Sequence, residues 1–219
     1  IENIQASEDY YMRFSLSTFL RILRIFALFI SLLLPAIFTA VVTFNQEMIP
    51  SDFMATLITS TVKVPLPTGA MIFFLIIMFE FLRESGTRLP KAVGSAISIM
   101  GALIIGDSAV KAGLVGAPAV IVVALTAVCS FTIPNLIEFI SIYRLFFLFL
   151  ASTMGLIGIG SGIMIMLTQI ISTLSFGVPV LSSFSKSDMK DFIIRFPMWL
   201  MNYRPSAISK NNNKRQKNV

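Results

Sequence analysis

Long apolar runs, separated by short polar breaks, make up most of this chain. The first runs from Leu16 to Phe44. Arg21 and Arg24 near its start can reach back to an interface, so the pattern predicts a membrane helix near Ile25–Phe44. Pro35 predicts a kink within it. Asn45–Val64 is polar and amphipathic. Met54, Leu57, Ile58 and Thr61 recur at helical spacing after Pro50, which predicts an interfacial helix capped by Ser51 or Asp52. Pro65 and Pro67 then lead into Thr68–Leu82, an apolar run of about 15 residues that is short for a full crossing. That length fits a tilted helix, a re-entrant one, or one shielded by protein.

Further on, Ala92–Gly106 is rich in glycine, alanine and serine. Such a face allows close helix packing; it also fits a narrow pore lining. Gly113–Pro118 predicts a turn. Ala119–Ile133 is the next span, closed by Pro134, and Glu138 and Arg144 read as a polar boundary. Leu145–Leu181 carries no charge. It predicts either one long helix with an interfacial piece or two crossings. Gly158 and Gly162 within it form a GxxxG packing face. These runs predict an all-α, polytopic integral membrane protein with about four to six membrane helices plus interfacial helices.

Composition agrees with this class. The chain has 219 residues, 56% of them apolar and 13% charged; a soluble domain carries about a quarter charged residues. Its net charge of +6 is concentrated at one end. Ser182–Val219 holds eight Lys or Arg and two Asp, so the preceding residues balance. This tail predicts a cytoplasmic segment beside anionic lipid rather than a nucleic-acid partner. Histidine is absent and Cys129 is the sole cysteine. Ser-His catalysis, cysteine or histidine metal sites and intrachain disulfides are thereby excluded. Residues 1–15 read as a linker from an upstream hydrophilic domain, and residues 16–181 as the transmembrane domain.

The densest chemistry closes the second apolar run. Glu80, Arg83, Glu84 and Arg88 lie at helical spacings, so Glu80, Arg83 and Glu84 share one side and can pair. Gly86 predicts a helix stop and Pro90 forbids simple continuation. One reading is a helix end anchored at a membrane surface; the other is a polar element inside a membrane assembly that gates or lines a path. Asp107 and Lys111 predict an exposed i,i+4 pair or a mouth charge. Orientation sets a further condition. The Arg83–Lys91 segment and the basic tail both favour the cytoplasm. An even number of crossings must therefore separate them, so the last apolar run must cross twice or not cross fully.

Several stretches, in order over residues 8–205, resemble one family. They are Glu8–Tyr11, Ser31–Pro35, Gln46–Pro50, Val64–Pro67, Phe79–Pro90, Gly101–Ala109, Ala112–Gly113, Ser175–Pro179 and Arg195–Pro205. Together they resemble the membrane domain of the A subunit of GerA-type spore germinant receptors. The resemblance implies a non-enzymatic role in germination, in the spore inner membrane or cell membrane. The implied partners are a transporter-like B subunit, a lipoprotein C subunit, membrane lipid and further copies of the chain. It also implies a nutrient-opened cation channel. On that reading Glu80, Arg83, Glu84, Arg88, Pro90, Ser98, Gly101 and Asp107 are pore or gating candidates, and no cofactor or metal is implied. A secondary-transporter-like subunit or a scaffold of the same complex are the alternatives. The chain departs from the family at Met71 and Ile76, near places where the family carries acids, and at Asn45, where it often has histidine.

Overall fold

A computed structural model describes residues 7–62, 64–88, 101, 106–175 and 178–179. The basic tail from Ser182, with Trp199 and Tyr203, lies outside the described residues, as do Pro90, Ser98 and most of Ala92–Gly106. The chain divides into two compact units, one of Ile1–Ala27 with Ile163–Val219 and the other of Leu28–Gly162.

Helix α1 is Phe14–Thr43 and runs through Pro35 without a break. In the first unit, Asp9 is fully buried and holds the early turns of α1. Its Oδ2 accepts from Arg24 Nη1 at 2.7 Å and from Arg21 Nε at 3.4 Å. Arg21 is also fully buried, so it does not reach an interface as its position in the sequence suggested. A carboxylate on the chain meets it instead, as a buried cation requires. Also in this unit, a two-residue antiparallel ladder pairs Leu174–Ser175 with Val178–Pro179.

The second unit holds the core. Helix α2 is Ser51–Thr61; Pro50, not Ser51 or Asp52, occupies its cap position, and no side chain caps it. Leu57 is its buried residue while Ile58 is exposed. Helix α3 is Thr68–Arg88. It passes through Gly86 instead of stopping there, because one glycine costs a helix only about 1 kcal/mol. Its 21 residues give it about 31 Å of length, enough for a bilayer core. Residues 106–111 are helical and end at Gly113, whose φ of 67° is the left-handed cap conformation. Helix α4 is Ala117–Phe131, with proline in its first turn.

Met71, Ile72, Leu75 and Ile76 of α3 pack with Ala109, Val115, and Ala119 and Val123 of α4, and with Leu148 of the next helix. The Gly116 amide at the start of α4 donates to the Met71 thioether at 3.1 Å. Phe79 meets Phe131 edge-on at 6.0 Å. Helices α3 and α4 thus run side by side in the same direction.

Helix α5, Ile137–Ser172, is two helices joined at Gly155. Gly155 has φ 62° and ψ −139°, a backbone region essentially confined to glycine. The chain reverses there. A methyl group at Gly162 would lie 2.8 Å from the Phe147 ring, and one at Gly158 would overlap the Leu150 carbonyl. On an unbroken helix Phe147 and Gly162 would be about 22 Å apart. The arms hold about 18 and 17 residues, roughly 26 Å each. Gly158 and Gly162 are a packing face, as their spacing suggested, and what they pack on is the preceding arm. Glu138 lies in the first turn of the first arm, but Arg144, read with it as a boundary, lies well inside that arm and is buried. Phe14–Thr43 and Pro134–Ser172 are the two helical stretches, among the described residues, long and apolar enough to cross a membrane. The second is this hairpin.

The reversal yields a direct test. Gly155→Ala puts a side chain into a glycine-only conformation, 3.1 Å from the Phe44 ring, and is expected to cost about 1–3 kcal/mol. Gly160, which meets nothing within 4 Å, is expected to tolerate alanine with no loss. Thermal unfolding of the detergent-solubilised chain measures both; equal midpoints would contradict the hairpin.

Candidate functional site

The charged end of α3 meets the first arm of α5, which runs antiparallel to it. Gly69 lies against Ser152 at one end of this contact, and Arg83 reaches Ser141 at the other. Between them sits Glu80, which takes two cations. Arg83 Nη2, one turn along on α3, binds Glu80 Oε2 at 2.6 Å. Arg144 Nη2, on α5, donates to Glu80 Oε1. Arg83 Nη1 also donates to Ser141 Oγ at 2.7 Å, and Ser141 donates in turn to the Ile137 carbonyl at 2.8 Å. The Arg144 guanidinium lies 5.6 Å from the centroid of the Phe79 ring, close enough for a cation–π contact.

Burial separates these groups. The Arg144 side chain is 0% exposed, whereas Glu80 and Arg83 are each 18% exposed. Arg144 Nε and Nη1 are buried without a hydrogen-bond partner among the described residues. An unmet buried donor costs about 1–3 kcal/mol, and more when charged. The cluster holds two cations against one carboxylate, in a setting that penalises unbalanced charge.

The four charges that the sequence grouped together separate into two sets. Glu80 and Arg83 belong to the buried cluster. Glu84 and Arg88 pair with each other at 2.6 Å, one turn further on, at 57% and 79% side-chain exposure. An exposed pair of this kind contributes about 0–1 kcal/mol. Asp107 and Lys111 form a similar exposed pair at 2.6 Å. Gly101 sits against α3: a methyl group there would lie 2.7 Å from Leu82 Cδ2. Among the described residues no cluster of carboxylate, cysteine or histidine is arranged to hold a metal ion.

Sequence reading missed Arg144 as a site residue. The signal was present. Ile140, Phe147, Leu148, Ala151 and Gly155 are buried at helical spacing, and Arg144 occupies the same stripe. A charge in the core stripe of a helix demands a counter-charge from a facing element. The long uncharged run after Arg144 drew the boundary in the wrong place.

Comparison with known proteins gives these features a family context. Residues 1–207 match the family described as the Bacillus/Clostridium GerA spore germination protein. Spore germination protein KA of Bacillus subtilis is 42% identical over 221 residues, which cover 99% of this chain and 41% of that protein. A Bacillus subtilis membrane protein described as uncharacterized, YfkQ, is 44% identical over 214 residues, covering 95% of this chain and 42% of its own length. Spore germination protein GerQA of Bacillus cereus is 37% identical over 210 residues, or 94% of this chain and 42% of that protein. The chain thus spans about two fifths of the length of these relatives. No solved structure matches it. The match over nearly its whole length, with several relatives above 30% identity, makes this chain a member of the GerA spore germination protein family.

Proposed function

We infer that this chain is the membrane part of a germinant-receptor A subunit and helps to trigger spore germination in response to nutrient. Its family membership over residues 1–207 carries this reading. The finer reading is an oligomeric cation channel, assembled with a transporter-like B subunit and a lipoprotein C subunit. The buried cluster at Glu80 supports it, because ionisable groups between apolar membrane helices are costly and mark functional places. Helix α3 links two candidate elements: Glu80 meets Arg144, and Leu82, two residues on, meets Gly101. In this reading, movement at the charge cluster passes along α3 to the small-residue segment Ala92–Gly106, in which Ser98 is the pore candidate. Gly101 serves packing against α3.

The hairpin supports a definite path through the bilayer. Phe44, the Gly155 tip, Gly69 and Gly116 gather at one end of the second unit. Arg83, Arg88 and Ile137 lie towards the other. With the basic end cytoplasmic, the two arms of α5 supply the two crossings that the charge pattern requires. With α1, α3, α4 and the small-residue segment, that makes six membrane-crossing segments in this reading.

A transporter-like subunit is the second reading. The break at Gly155 favours it, since interrupted helices build midplane sites in transporters. Saturable binding of labelled nutrient to this chain alone would select it over the channel.

Three outcomes are expected. In spores with this chain as their only A subunit, Ser98→Leu abolishes nutrient-triggered cation release while the chain stays at its normal level; undiminished release removes the pore assignment. With Cys129→Ala as background, an impermeant thiol reagent reaches Gln46→Cys and Met154→Cys from one face of the membrane and Glu84→Cys from the other. Labelling of 84 and 154 from the same face contradicts the path. Glu84→Gln and Arg88→Gln change thermal stability by about 0–1 kcal/mol, measured by unfolding in detergent, and a larger loss would place that pair inside an assembly contact.

A further inference from the structure

We propose that the Glu80 carboxylate is a catch that keeps Arg144 inside the protein, and that α3 and the first arm of α5 separate when Arg144 leaves. The inference rests on the germination reading for its purpose but not for its geometry. Three observations carry it. Arg144 has a fully buried side chain, yet among the described residues only its Nη2 finds an acceptor; Nε and Nη1 have none. The guanidinium is therefore poorly satisfied where it sits, and its long stem gives it a route towards water at the nearby end of the helix.

Glu80 does not depend on Arg144 in the same way. It keeps Arg83 on its other oxygen, and it is partly exposed. Loss of Arg144 thus leaves no orphaned carboxylate, whereas loss of the carboxylate leaves a buried cation without its counter-charge and with only the Phe79 ring beside it. Arg83 keeps Ser141 and its own access to solvent in either case.

The rest of the α3–α5 contact has no such polarity. Leu148 packs with the apolar residues of α3, and Gly69 meets Ser152. These contacts hold the helices together without distinguishing one state from another. A purely apolar contact at 80 and 144 would be stable, as replacements of buried ion pairs often are. It would also be unable to open. The asymmetry between the two partners defines the catch: removing the carboxylate strands a buried charge, and removing the cation does not.

The test uses the complete membrane chain in lipid nanodiscs, with Cys129→Ala and a reporter at Leu148→Cys, a core position 1% exposed. A soluble thiol reagent labels this site only when α3 and α5 part. Glu80→Leu is expected to accelerate labelling at least about fivefold, as local opening would. Arg144→Met is expected to leave the rate unchanged, and Glu80→Leu with Arg144→Met to return it to the parent rate. A second reporter, Leu32→Cys in α1, equally buried, should stay protected throughout. The proposal is overturned if Arg144→Met accelerates labelling as Glu80→Leu does, if Glu80→Leu has no effect, or if Leu32→Cys becomes reactive with it, since the pair would then hold the whole fold. In spores, Arg144→Met should slow the nutrient response at least about tenfold at a normal chain level, the consequence of a contact that cannot open. A normal response with the expected labelling pattern would overturn the germination role and leave the catch standing.

Discussion

A guanidinium with no route to water in the described state governs how two helices of this protein meet. Arg144 is enclosed, so a carboxylate must come to it, and Glu80 on α3 is the one that does. That requirement fixes more than a pair of side chains. With Glu80 opposite Arg144, the antiparallel run of α3 against α5 follows: Arg83 falls beside Ser141 and Gly69 beside Ser152. Apolar packing among Met71, Ile72, Ile76 and Leu148 adds free energy, but greasy contacts are tolerant of a slip along the axis. The ion pair is not, because a slip would strand a charge in a low-dielectric interior.

Gly155 sets the second constraint. Unbroken, a helix of 36 residues would run about 54 Å. The reversal divides it into arms of roughly 26 Å each, and the arms can lie close because Gly158 and Gly162 present backbone, not side chains, to Phe147 and Leu150. The same tip packs on Phe44, where α1 gives way to its following loop. One backbone conformation open to glycine alone thereby turns the helix back on itself.

Met71 and Ile76 acquire meaning from the same core. Both are almost completely buried, at the centre of the α3–α4 contact. Carboxylates at these places would need partners of their own, and among the described residues here the Met71 neighbour that is bonded to it is the Gly116 amide. Apolar side chains there make α3 a tightly seated helix whose ionisable chemistry lies towards its charged end.

Much of this was legible before any coordinates. Periodicity gave the amphipathic helix after Pro50 and the turn at Gly113, and the GxxxG spacing gave the packing face, because each depends on neighbours in sequence. Charge counting even required that the last apolar run either return or stop short. What the residues alone left open depends on groups far apart in the chain. Glu80 and Arg144 are 64 positions apart, and their spacing in sequence carries no sign that they touch. Glu84 looked like Glu80's equal because both lie on one helical side; only the facing arm of α5 covers most of Glu80 and leaves Glu84 at the surface. Gly155 resembled the three glycines that follow it, at 158, 160 and 162, and its positive φ emerges only when the second arm finds the first to pack against.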